Sequence, residues 1–215
     1  MIYAAAVSEA APETLGVEPT QDDGTRLSST QVWDEAARPR RPAPPAGAAY
    51  TRAGRATSRH LIQIHDMLRS ELASLRDLIA QVRDGLVSAG EARSQLNEMT
   101  MRQNNWTMGA YCQSYCRVVT HHHFAEDAMV FPHLRARESG LGQVLDRLSE
   151  EHVVIHEVLD AVDRALVAYI ARPADLTELQ EAVDLLTDTL LSHLAYEESQ
   201  LLEPLARYGF YDSPF

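Results

Sequence analysis

HHHFAEDAMVFPHL, residues His121–Leu134, is the stretch on which the reading of this chain turns. Three consecutive histidines are followed within one helical turn by a carboxylate, Glu126. His122 and Glu126 are four residues apart. In an α-helix such residues share a face, about 6 Å apart along the axis. Two groups so placed can reach one metal ion, or one can bind it while the other bridges to a second. The pattern returns downstream. EEHVVIH (Glu150–His156) carries His152 and His156, and HLAYEESQLLEPL (His193–Leu205) carries His193 and Glu197. Upstream, His65 stands in another helical stretch.

Working outward, the chain reads as four long helical segments. The first spans about 57–87, from a Thr57/Ser58 cap to the Gly85–Gly90 region. The second spans about 93–137 and ends at Glu138-Ser139-Gly140. The third spans about 142–171, stopped by Pro173. The fourth spans about 176–206, with Asp175 and Glu178 at capping-box spacing and Gly209 as the stop. No segment shows β alternation. Short connections make consecutive helices antiparallel neighbours, so the predicted fold is all-α, an antiparallel up-down four-helix bundle over residues 53–208. Residues 1–52 are rich in Ala and Pro, and Arg38–Tyr50 (RPRRPAPPAGAAY) suits neither helix nor sheet. This tail is expected to be disordered or draped over the bundle, with Trp33 as an anchor point, and 209–215 form a C-terminal tail.

Turning 100° per residue shows what shares each face. His65 lies with Leu61, Leu68 and Leu72; His122 with Tyr111, Tyr115, Val119, Glu126 and Met129. His152 and His156 lie with Leu145, Leu148 and Leu159; His193 and Glu197 with Leu186 and Leu190. His60 and His121 fall on outward faces. Five imidazoles and two carboxylates therefore project into an apolar core. Buried carboxylates must be paired, neutralised or bound to a cation. Two ions bridged by Glu126 and Glu197 satisfy them, and so much imidazole suits iron better than calcium or magnesium. On the second helix His122 fits the register best, with His123, three before Glu126, as the alternative. Glu198 lies about 140° round the helix from His193, which favours Glu197. Tyr111 and Tyr115 are either core residues or hydrogen-bond donors near a bound ligand. Cys112 and Cys116 read as buried small residues.

The order His … His-x-x-x-Glu … His-x-x-x-His … His-x-x-x-Glu resembles the hemerythrin, or HHE cation-binding, family, and bacterial hemerythrin-like proteins within it. The resemblance covers about residues 57–208. It implies His65, His122, His152, His156 and His193 as terminal iron ligands, Glu126 and Glu197 as carboxylate bridges, and an oxo or hydroxo group between two irons. Such a set leaves one iron short of six ligands, open to O2, NO or peroxide. Oxygen-carrying members use His-x-x-x-x-Asp on the last helix. This chain has His-x-x-x-Glu, which separates it from simple oxygen carriers. The expected function is therefore binding of a small diatomic ligand for sensing, storage or redox protection. The alternatives are a di-iron enzyme that disproportionates peroxide or oxidises a substrate, and a metal-dependent regulatory or structural module.

The remaining composition narrows the partners. A net charge of −12 in 215 residues repels nucleic-acid phosphates and anionic lipid. No apolar run approaches the roughly 18 residues that span a bilayer. MIYAAAVSEAAPETL lacks the basic start and apolar run of a signal peptide, and two cysteines make no disulfide framework. A cytoplasmic location is the expectation.

Overall fold

The computed structural model describes residues 14–84, 108–172 and 176–210, the side chains of 108–114 and 170 excepted. The expected Gly85–Gly90 break, the start of the second helix near residue 93, the Pro173 stop, the Asp175 cap, the side chains of Tyr111 and Cys112, and residues 211–215 lie outside the described residues.

Among the described residues the regular structure is all helical, with no strand. Helix α1 is Arg52–Arg83. Helix α2 begins as Met108–Ala125, passes through a π turn over Glu126–Val130 and continues as Phe131–Arg137. A short 3-10 turn, Ser139–Leu141, leads into α3, Gly142–Ala171. Helix α4 is Thr177–Tyr208, closed by Gly209 at φ 64, a conformation that favours glycine. No described helix is long and apolar enough to cross a membrane.

Helix α1 starts five residues before the expected Thr57 cap. Thr51 is the cap instead, its hydroxyl accepting the Gly54 N–H at 2.8 Å. Thr57 and Ser58 instead return their hydroxyls to the Ala53 and Gly54 carbonyls inside the helix. Ser58 also donates to the Leu202 carbonyl of α4 at 2.7 Å.

The π turn re-registers α2. Its buried positions are Tyr115, Val119, His123, Glu126, Phe131 and Leu134. Successive steps of four, four and three residues are followed by one of five, and the Phe131 N–H bonds back to the Glu126 carbonyl. One residue is thereby inserted, as π turns do, commonly at functional sites. Met129, expected on the inward stripe, is consequently exposed. Pro132 follows immediately, in the first turn of the resumed α-helix, where its missing N–H is tolerated.

The core is split. One apolar cluster runs from Leu68 to Ile79 on α1 and across Val119, Ile155, Leu159, Leu186, Leu190 and Leu194. A second joins Leu61, Phe131, Leu134, Leu145, Leu148, Leu201 and Leu205. A layer of buried polar side chains lies between them.

The N-terminal arm, residues 14–50, has no helix or strand and is draped along α4. Thr20 N–H meets Glu198, Leu27 and Ser28 N–H meet Asp188, and Arg41 N–H meets Gln200. Tyr196 donates its hydroxyl to the Pro39 carbonyl at 2.8 Å. Val32 and Trp33 pack against the first apolar cluster, so Trp33 does serve as an anchor. With the arm in place α4 is buried on nearly every face, the pattern of a central helix.

Gly54 allows α1 and α4 to touch backbone to backbone, since a Cβ there would run into the Ala206 carbonyl. Gly54→Ala should therefore cost about 1–3 kcal/mol by forcing the helices apart, despite the better helix propensity of alanine. Urea denaturation at neutral pH measures this.

Candidate metal centre

The polar layer is built from all four helices. Two groups of side chains could each hold an ion: His123, His152 and His193 form one, and His65, His122, Glu126 and Glu197 the other. Within each, the donor atoms lie inside 4.8 Å of one another. The carboxylates span the groups. Glu126 lies 3.2 Å from His122 Nε2 by Oε1 and 3.7 Å from His152 Nε2 by Oε2. Glu197 Oε2 lies 3.5 Å from His65 Nε2 and 3.7 Å from His193 Nε2. His65 Nε2 and His122 Nε2 approach to 3.1 Å. Two nitrogens held at right angles on one ion, with bonds of roughly 2.1 Å, stand about 3 Å apart.

Many of these atoms have no protein partner. Both ring nitrogens of His123, Nε2 of His152 and of His193, Oε2 of Glu126 and both oxygens of Glu197 are buried without a hydrogen bond. Buried polar groups are normally satisfied, so a convergent set of unsatisfied lone pairs needs an explanation, and a cation supplies one. Their chemistry fits the metal that the sequence implied: imidazole nitrogen and carboxylate oxygen, without thiolate.

The opposite edges of three imidazoles are firmly held. His65 Nδ1 donates to Glu198 at 2.8 Å, His152 Nδ1 to Asp127 at 3.0 Å and His193 Nδ1 to Glu151 at 3.1 Å. Each contact fixes the tautomer and turns Nε2 toward the cluster. The acids form a relay. Asp127 on α2 holds a histidine of α3, Glu151 on α3 holds one of α4, and Glu198 on α4 holds one of α1. Each acid is the immediate neighbour of a cluster residue: Glu126, His152 and Glu197 respectively. One step along a helix turns about 100°, which aims the acid at the adjoining helix.

Electrostatics follow burial. Burial, reinforced by neighbouring histidines, pushes His122 and His123 well below the ordinary imidazole value. Burial also lowers His193, against the pull of Glu151. These rings are therefore neutral at pH 7, as metal ligands must be. Burial, then repulsion from Glu197, raises Glu126 well above the carboxylate range. The outer acids behave oppositely. Burial opposes the ionisation of Glu151, but hydrogen bonds from His193 and Arg38 outweigh it and bring the carboxyl down to about 2. Because His193 is neutral, the charge that keeps Glu151 ionised comes from arginine. Asp127 and Glu198 are likewise lowered, burial being outweighed by bonds from His152 and Ser149, and from His65 and Thr20.

The structure brings together His65, His122, Glu126, His152, His193 and Glu197 from the sequence reading. It does not bring in His156. That residue is exposed, with Nδ1 3.4 Å from the Thr120 hydroxyl on α2. The buried stripe of α3 runs from His152 through Ile155 to Leu159, which leaves His156 on its exposed side. His123 occupies the core in its place, stacked on His152 with ring centroids 4.0 Å apart. His122 and His123 were weighed as alternatives, and both enter the cluster. Tyr115 commits its hydroxyl to the Leu68 carbonyl at 3.2 Å, which makes it a core residue. Cys116 is partly buried, and burial pushes its thiol up to about 12. Glu151 and Asp127 were missed as partners. Their signal in the sequence was adjacency to His152 and Glu126.

A cavity of about 440 Å³ adjoins one end of the cluster. His122, Glu126 and Glu197 form its floor, and Ile64, Phe124 and Met129 are among its apolar walls. It touches the group with two imidazoles and none of the residues of the group with three.

A family model described as Hemerythrin HHE cation binding domain matches residues 56–205. The comparisons with curated proteins and with solved structures returned no match.

The buried carboxylates predict a pH signature. A folded-state value raised above 4.5 means that the folded protein holds its proton after the unfolded chain has released it. Stability of chelator-treated protein should then fall as pH rises from 4.5 through the raised value of Glu126. Glu126→Gln should remove part of that slope, making the stripped protein more stable than the parent at pH 7 to 8. Urea melts across this range test the sign.

Proposed function

We propose, from the premise that the chain belongs to the hemerythrin HHE cation-binding family, that it binds two iron ions in this layer and takes up a small diatomic ligand there. The observation that carries the reading is the convergence on one buried volume of five imidazoles and two carboxylates, with one oxygen of Glu126 and both of Glu197 unsatisfied. His123, His152 and His193 would hold one ion and His65 and His122 the other, with Glu126 and Glu197 placed to serve both. The count of imidazoles equals that expected from the sequence, with His123 replacing His156. The helices are taken to run up-down antiparallel. This is supported by pairs that advance in opposite directions, Ser58 with Leu202 then His65 with Glu198, and Cys116 with Leu159 then Thr120 with His156.

Iron bound there supplies a coordination position at which O2 or NO binds. The chain's own contribution is positional. The three outer acids hold Nε2 of His65, His152 and His193 in place. Leucines above and below exclude water. The group with only two imidazoles would leave an ion the more open, and the cavity adjoins that group. Its apolar walls admit an uncharged gas more readily than an ion. The intended role is sensing, storage or redox protection.

The cavity also favours a second reading. Its volume far exceeds that of a diatomic gas, so an apolar organic molecule could sit beside the same ions and be oxidised, making the protein an enzyme. Stopped-flow spectra of the ferrous protein separate the two. A reversible colour change with O2 or NO supports binding. Steady consumption of O2 or peroxide supports an enzyme.

Metal analysis tests the assignment. Protein purified without chelator should carry about two irons per chain. His123→Ala, His193→Ala and Glu197→Ala should each lose at least one, whereas His156→Ala and His60→Ala should retain both. Full iron in His123→Ala and loss in His156→Ala would reverse the ligand set.

A further inference from the structure

We propose that the N-terminal arm is a working part of the histidine–carboxylate cluster, with Arg38 a positioning residue that fixes the imidazole of His193 through Glu151. This inference rests on the metal-binding reading above. It concerns a segment outside residues 56–205, the span that the family model matches.

The geometry is specific. Arg38 meets both oxygens of Glu151, Nε to Oε1 at 2.8 Å and Nη2 to Oε2 at 2.9 Å. Oε2 is the oxygen that accepts the His193 Nδ1–H at 3.1 Å. A bidentate pair fixes the plane of the carboxylate as well as its position. The carboxylate in turn sets the ring angle of His193, whose Nε2 lies unsatisfied in the cluster. Arg147 also reaches Glu151 Oε1, at 2.9 Å, but leaves Oε2 to Arg38 and His193.

Arg38 is itself rigidly seated. Its guanidinium lies 4.7 Å from the ring centroid of Tyr196 and 5.3 Å from that of Trp33. Its Nη1 donates to the Ser192 hydroxyl at 2.9 Å, and that hydroxyl donates to Glu35 of the arm at 2.6 Å. The side chain is only 9% exposed. A second contact repeats the design. The Thr20 N–H meets Glu198 Oε2 at 2.7 Å, and Glu198 Oε1 receives His65 Nδ1. The arm therefore reaches the outer partners of two cluster histidines, on different helices.

Coupling of this kind is reciprocal. If the docked arm raises metal affinity by some factor, bound metal strengthens arm docking by the same factor. Metal occupancy is then read out at the surface as accessibility of the arm.

The test uses the full chain and cobalt(II), whose absorbance reports its ligands. Affinity is measured by chelator competition. Arg38→Ala should weaken cobalt binding about tenfold or more and alter the spectrum. Arg38→Lys should recover part of the loss, since a point charge cannot reproduce the bidentate fork. Arg41→Ala is the control: it removes a side-chain contact with Glu203, keeps the backbone bond to Gln200 that docks the arm, and touches no histidine partner. It should bind cobalt as the parent does. In the parent protein, trypsin should cut after Arg26 and Arg40 more slowly once cobalt is bound. That measurement needs no variant to fold. Equal affinity and identical spectra in Arg38→Ala, or arm cleavage indifferent to cobalt, overturn the inference alone. Parent protein that takes up neither cobalt nor iron overturns the metal reading and this inference with it.

Discussion

Lone pairs that no protein group satisfies, gathered between two apolar clusters, are the constraint on which the rest of the structure depends. An unpaired buried polar group costs about 1–3 kcal/mol, and a buried charge more. Several such groups in one layer would consume much of a small domain's net stability. Leucines above and below offset that cost, which is why the layer is confined to about two helical turns. The same dryness that makes the layer expensive without a cation makes it selective with one.

How the layer is held follows from helical geometry. Every residue that faces the cluster has a neighbour turned about 100° away, toward the next helix. In three cases that neighbour is an acid, and each acid holds a histidine on an adjoining helix. Asp127, Glu151 and Glu198 therefore tie α2 to α3, α3 to α4 and α4 to α1. These ties need counter-charge, since they place ionised carboxylates at or near the core. Arg69 and Arg147 come from the bundle, and Arg38 from the arm. The outer surface of α4 is thus a docking face as well as a wall of the site.

The helices and most of the cluster were legible in the sequence because both depend on a regular period. Histidines and carboxylates four apart declared a face, and glycine and Pro-rich breaks declared the ends. What was not legible arose where the period failed or where a partner came from elsewhere in the chain. The π turn at Glu126–Val130 inserts a residue, so counting at 100° placed Met129 inward when it is exposed. His156 shares a stripe with His152 by that count. The buried stripe of α3 continues through Ile155 and Leu159 instead, and the count carries no information on which edge of a stripe the neighbouring helices cover. The arm was foreseen as disordered or draped. That it buries the polar face of α4 could not be read from periodicity, because Asp188, Ser192 and Gln200 look like an ordinary solvated stripe.

The two halves of the site are not equivalent, and this asymmetry follows from α2. Consecutive residues His122 and His123 diverge by about 100°, so one helix serves both groups of ligands. His123 turns to His152 and His193, deep in the bundle. His122 turns to His65 and forms part of the floor of the apolar cavity. Placing both imidazoles on α2 leaves the deep group enclosed by three rings and exposes the group with two. An ion held by the deep group would be wrapped by the bundle, and one held by the other group would face the cavity.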